Sequence, residues 1–171
     1  SHAQGQAVKN ETEQEGMCQC HLRGSATLIN YLAWLEEQLA NGVELDEADG
    51  AARINPDLIY LCDAGGQYID GTTDVTRILY FQLPSDHKKR CFARVLQGHI
   101  AIDTAVFPDD TSGYLLDILA RRTLWADGLD FRHGTGHGVG AFLNVHEGPR
   151  GCGTRIVYND IPLDSGMTLT N

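Results

Sequence analysis

One stretch constrains this chain more than any other: His133-Gly134-Thr135-Gly136-His137-Gly138-Val139-Gly140. Glycine lacks a Cβ, so its backbone can pass close to a ligand and take up positive φ. Two histidines within such a run can reach an ion or a substrate without obstruction. The run also fits a loose G-x-G-x-G pattern. A phosphate cradle is disfavoured, because no strand–helix–strand context surrounds it and histidine interrupts the turn. A solvated glycine loop with incidental histidines is the plainer alternative. His146 follows nine residues after His137, beside Glu147-Gly148-Pro149. Alone it reads as a surface or satisfied core histidine.

Asp63 and Asp74 form the second constellation, eleven residues apart. Leu58 to Cys62 is a short apolar run that predicts a buried strand ending at Asp63. Val75 to Phe81 predicts a second strand, with Asp74 at its entrance. Gly65-Gly66 and Asp70-Gly71 bracket a bend between them. A hairpin there would return the second carboxylate toward the first. Two carboxylates held close repel unless a positive charge sits between them. A divalent metal is the usual solution, and oxygen ligands suit ions such as manganese. From spacing alone the plainer reading is favoured, that both aspartates are strand-end turn residues, where Asp is common.

Helices are predicted elsewhere. Asn10 and Glu13 have the form of a capping box. Leu28, Leu32, Leu35 and Leu39 follow at helical spacing, and Asn41-Gly42 supplies a stop. A short helix is expected over Asp46–Arg53. Ser85 can cap a helix in which Phe92, Val95, Leu96, His99 and Ile102 share a face. Thr111 or Ser112 opens another, with Leu115, Ile118, Leu119 and Leu124 as its apolar positions. Leu163 to Thr170 reads as a turn and a strand. Strands plus helices predict an α+β class.

Composition narrows the partners. A formal net charge of −10 argues against nucleic acid, whose binding rests on basic contacts to phosphate. It equally argues against anionic membrane surfaces. No apolar run approaches the ~20 residues of a membrane span. The opening Ser1-His2-Ala3-Gln4-Gly5 does not read as a secretory signal. Five cysteines without framework spacing predict reduced thiols and a cytoplasmic setting. Cys18 and Cys20 are two apart in a predicted helix, point to different faces, and read as packing residues rather than ligands.

Three segments together resemble the catalytic domain of the aminopeptidase P family, metallopeptidases of the pita-bread fold. They are Tyr60-Leu61-Cys62-Asp63 through Asp70-Gly71-Thr72-Thr73-Asp74 to Arg77, His133 through Pro149, and Ser165-Gly166-Met167-Thr168-Leu169-Thr170-Asn171. The similarity covers nearly the whole chain. It implies a partial pita-bread domain over residues 1–171, an antiparallel sheet with covering helices, without the family's larger N-terminal domain. It implies that Asp63, Asp74 and His137 are metal ligands, Asp74 bridging two ions. It places His133 and His146 around the substrate, stabilising the reacting carbonyl. Two such ions activate a bridging water near neutral pH. The implied substrates are peptides with proline second, the implied metal is manganese, and a homodimer is compatible.

The departures from the family are specific. Two downstream glutamate ligands are expected, the first immediately beyond Asn171. A histidine upstream of the first aspartate is expected near the Arg53–Ile54 passage, yet none lies between His21 and His87. That passage looks like an internal deletion. Three ligands can hold one catalytic zinc but neutralise two ions poorly. Weak or single-metal occupancy and low activity are therefore expected. The competing expectations are a non-catalytic pita-bread module that binds peptide or protein, and a related hydrolase such as a prolidase or methionine aminopeptidase.

Overall fold

In the computed structural model, residues 6–46 and 54–171 are described. The first long helix, α1 (Glu11–Ala40), starts where the sequence predicts. Asn10 Oδ1 accepts from Glu13 N at 3.0 Å, and Asn10 N donates to Glu13 Oε2 at 2.9 Å. Glu11 and Glu13 in the first turn complement the helix dipole. Leu35 is fully buried on this helix, with Gly16, Met17 and Cys20. Cys18 is exposed, against the packing role expected of it, whereas Cys20 is buried and fits that role.

Strands β1 (Tyr60–Tyr68) and β2 (Gly71–Leu79) form an antiparallel hairpin, with Tyr68 opposite Gly71. The predicted boundaries need correction. The bend is Ile69-Asp70 alone, Gly65-Gly66 lies within β1, and Asp74 lies inside β2 rather than at its entrance. Leu58, Ile59 and Leu61 are half-exposed or more, so the run before Asp63 is not a buried strand; only Cys62 is buried. Leu58 and Ile59 precede β1, and alternation puts Leu61 and Cys62 on opposite sides of the two-stranded sheet. α1 packs chiefly on β2. Arg23 pairs with Asp70 at the hairpin tip.

Two further helices, α2 (Asp86–Asp103) and α3 (Gly113–Trp125), pack on each other. Ser85 caps α2 through a bond from Lys88 N at 3.3 Å. Ser112 is the N-cap of α3, but its side chain makes no capping bond. The predicted apolar faces need correction too. Phe92, Val95 and Leu96 are exposed, as are Leu115 and Ile118. The helices instead meet where Gly98 lies against the carbonyl of Ala120, too close for any Cβ at that position. α3 buries Leu116, Asp117, Ala120, Arg121 and Leu124.

The second sheet holds the glycine-rich run. β3 (Gly136–Gly138) pairs antiparallel with β4 (Glu147–Cys152), with an irregularity between His137 and Gly138. Along its other edge run Thr168–Thr170: Val139 N donates to Thr168 O at 3.0 Å and Thr170 N to His137 O at 2.8 Å. The predicted terminal strand is thus present as an edge segment. A short helix, α4 (Ile156–Asn159), follows β4. The expected α+β class holds, with two two-stranded antiparallel sheets and helices against them. The helix expected over Asp46–Arg53 lies almost wholly outside the described residues. Among the described residues, no helix is long and apolar enough to cross a membrane.

Candidate metal centre

The two hairpins meet at Asp74. Register places Gly65 opposite Asp74 and Thr76 opposite Asp63, so both carboxylates rise from one face of the first sheet. Asp74 Oδ2 lies 3.0 Å from His137 Nε2, with the two side chains 11% and 31% exposed. The His146 ring lies against that of His137, tilted by 46° with 3.8 Å between centroids. One ligand atom from each of Asp74, His137 and His146 lies within 4.8 Å of the others.

The donor set suits a divalent ion. His137 Nδ1 is 2.9 Å from the Gly138 carbonyl. A neutral ring with Nδ1 donating there leaves a lone pair on Nε2, which then faces a carboxylate oxygen. Two acceptors at that distance need a cation or a shared proton between them. Fixing one ring nitrogen on a carbonyl is also how metal-ligating histidines are usually held.

The other site candidates lie differently. Asp63 accepts the Thr76 hydroxyl at 2.9 Å and is exposed. It shares the face of Asp74 but does not join the convergent three. His133 is exposed, engages the Gly134 carbonyl at 2.7 Å and packs on Phe131. It lines a neighbouring cavity with Arg132 and Arg155 instead. His146 is nearer to the potential ligand atoms than the sequence suggests.

Three supports went unrecognised in the sequence. Arg121, 2% exposed, pairs with Asp117 at 2.6 Å and donates to Asp130, the Phe131 carbonyl and the His133 carbonyl. Asp117 also accepts the Thr135 hydroxyl at 2.6 Å. This buried network fixes the approach to the glycine-rich run. Lys9, 1% exposed, pairs with Glu147 at 2.5 Å, directly after His146. Gln67 on β1 donates to the Leu143 carbonyl at 3.1 Å and anchors the loop before His146. The i,i+4 spacing of Asp117 and Arg121 was the one available signal, and it is also what an ordinary surface pair shows.

The family model of metallopeptidase family M24 matches residues 26–171. A relative from Laccaria bicolor named "Probable Xaa-Pro aminopeptidase P" is 51% identical over 205 residues, covering 96% of this chain and 32% of the relative. That matched stretch exceeds the 171 residues of the chain, so the relative carries residues inside it that have no counterpart here. The crystal structure of X-prolyl aminopeptidase from Caenorhabditis elegans, described as a cytosolic enzyme with a di-nuclear active site, superposes with a TM-score of 0.88 at 35% identity. The match covers 98% of this chain and 34% of that one. X-Pro aminopeptidase from Thermotoga maritima gives 0.72 at 25% identity, covering 98% and 55%. The chain thus spans about a third of the length of the curated relatives it matches, and its fold is a partial pita-bread fold. On the match over residues 26–171, the chain belongs to metallopeptidase family M24.

Proposed function

We propose that this chain forms part of a metallo-aminopeptidase that cleaves the bond between an N-terminal residue and a following proline. The observation that carries this is the convergence of Asp74, His137 and His146 from two separate hairpins. The names of the relatives and the di-nuclear site described for the C. elegans enzyme support it. The chain is read as an incomplete catalytic domain, in keeping with its share of those relatives.

Asp74 and His137 would hold the ion, and Asp63 would join them once its carboxylate turns from Thr76. Manganese fits a mixed set of carboxylate and imidazole better than magnesium does. When bound, such an ion polarises the scissile carbonyl and lowers the pKa of water. The chain's own residues do the rest. Gly138 fixes the His137 tautomer, and Arg121 holds the backbone leading to it. His146, beside the site, would donate to the oxygen of the reacting carbonyl as negative charge develops there. His133 would act farther along the substrate.

The working setting is the cytosol, as described for the C. elegans neighbour. Three ligands on these 171 residues supply too little charge for two ions, so a polypeptide of these residues alone would be a weak peptidase. A second reading is favoured by the places of Asp63 and His133 outside the convergent group: a peptide-binding module of the same fold without catalysis. Hydrolysis of a short Xaa-Pro peptide with added manganese decides between them. Chelator-sensitive release of the first residue by the full-length protein supports the peptidase, and binding without cleavage supports the module.

A further inference from the structure

We infer that the cavity beside the metal centre is an anion subsite that takes the free α-carboxylate of a short peptide substrate. The inference rests on the peptidase reading and deepens it. The cavity has a volume of about 360 Å³ and is lined by Arg132, His133, Cys152, Arg155, Tyr158 and Asn159. A second cavity of about 430 Å³, which His137 and His146 line, shares Gly136, Tyr158 and Asn159 with it. The two cavities therefore adjoin, with these residues in the walls of both.

Charge sets the first compartment apart. The chain carries a net −10, and most of its described arginines are paired: Arg23, Arg90, Arg94, Arg121 and Arg150 each meet an aspartate. Among the described residues, neither Arg132 nor Arg155 has a carboxylate partner. Two guanidiniums without counter-ions at one cavity, on an acidic protein, attract an anion from solution. A guanidinium also matches the planar fork of a carboxylate. The His133 Nδ1 is engaged with the Gly134 carbonyl at 2.7 Å, and the two guanidiniums supply the positive charge. Arg121 pins the carbonyl of His133 at 2.8 Å and so holds the cavity rim in place.

Reach selects the ligand. His133 and His137 are four positions apart, which limits their Cα atoms to about 14 Å. That is the span of about four extended residues, so a carboxylate one or two residues beyond the proline can arrive there. Tri- and tetrapeptides with free C-termini are the substrates that fit. Amidated or longer peptides lose the contact.

The test compares Ala-Pro-Ala with its C-terminal amide, using the full-length protein with manganese. The expected result is a KM about tenfold higher for the amide, with kcat unchanged. Arg155→Ala and Arg132→Ala raise KM for the acid toward that of the amide and leave the amide alone. Arg155→Lys recovers part of the difference, and Arg122→Ala, on the exposed side of α3, changes nothing. Equal KM values for acid and amide in the parent would overturn the subsite while leaving the peptidase intact. An equal rise for both peptides in the arginine variants would do the same. If neither peptide is cleaved, the peptidase reading fails, and calorimetric binding of the same pair then reads the subsite. Acid bound no more tightly than amide overturns it.

Discussion

Lys9 and Glu147 stand 138 residues apart in the chain, yet their side chains meet at 2.5 Å with Lys9 almost wholly buried. Lys9 also donates to the Ala7 carbonyl at 3.1 Å. The contact ties the segment before α1 to the residue following His146. Removing one partner of a buried pair leaves the other charge uncompensated, at roughly 3–5 kcal/mol. Lys9→Met should lower stability by about that amount in urea unfolding. The Lys9→Met/Glu147→Gln double variant should recover a large part of it, and a double variant as unstable as the single would contradict this.

Arg121 serves the glycine-rich run in the same way. Its substitution by lysine keeps a charge but loses the fork that reaches Asp117, Asp130 and two carbonyls. Arg121→Lys should destabilise by a few kcal/mol, about 2–4, as expected for a broken buried network. Amide exchange over residues 131–137 should accelerate in that variant beyond its effect on α1. Uniform acceleration across the chain would argue against a local role.

Asp127 gives a pH signature. Hydrogen bonds from Arg90 and then Arg94 hold its carboxyl well below the usual carboxylate range. A depressed folded pKa means that the unfolded chain takes up the proton first. The contribution is therefore present above about pH 4, the unfolded value, and is lost as pH falls toward the lower folded value. Asp127→Asn should be less stable than the parent at neutral pH and should converge with it in acid. Parallel curves down to acid pH would count against the pairing.

Cys152 should be chemically quiet. Burial, reinforced by the charge of Asp117, pushes its thiol up to about 12. A raised folded pKa contributes stability below the unfolded value of about 8.5, which is lost as pH rises toward the folded value. Native protein at about pH 8 should alkylate at the exposed Cys18, with Cys152 labelled only after unfolding. Mass spectrometry of the peptides checks the order.

The local signals in the sequence were those written within a few residues. Asn10 with Glu13 and Ser85 with Lys88 N each close over three residues, so the caps of α1 and α2 were readable. The hairpin followed from β-rich runs around Asp70-Gly71. What failed depended on neighbours. Phe92, Val95 and Leu96 form a good apolar stripe, but α2 meets α3 through Gly98, where Ala120 lies too close for a side chain. Helical spacing says which residues share a face, not which face a partner covers. Asp117 and Arg121 are charged, so no hydrophobic pattern marks them as core. Within the candidate centre, the closeness of Asp74 to His137 accords with the reading of the motifs. The turn of Asp63 toward Thr76 depends on a hydroxyl across the sheet, and nothing in the spacing of the aspartates encodes it.

Asp74 and His137, 3.0 Å apart, are proposed to form a metal site. Calorimetric titration of the chain with manganese, in parent, Asp74→Ala and His137→Ala forms, tests it most directly. Circular dichroism of each variant controls for folding. Binding in the parent, weakened at least about tenfold in both folded variants, is the predicted result. Equal manganese affinity in all three would contradict the account.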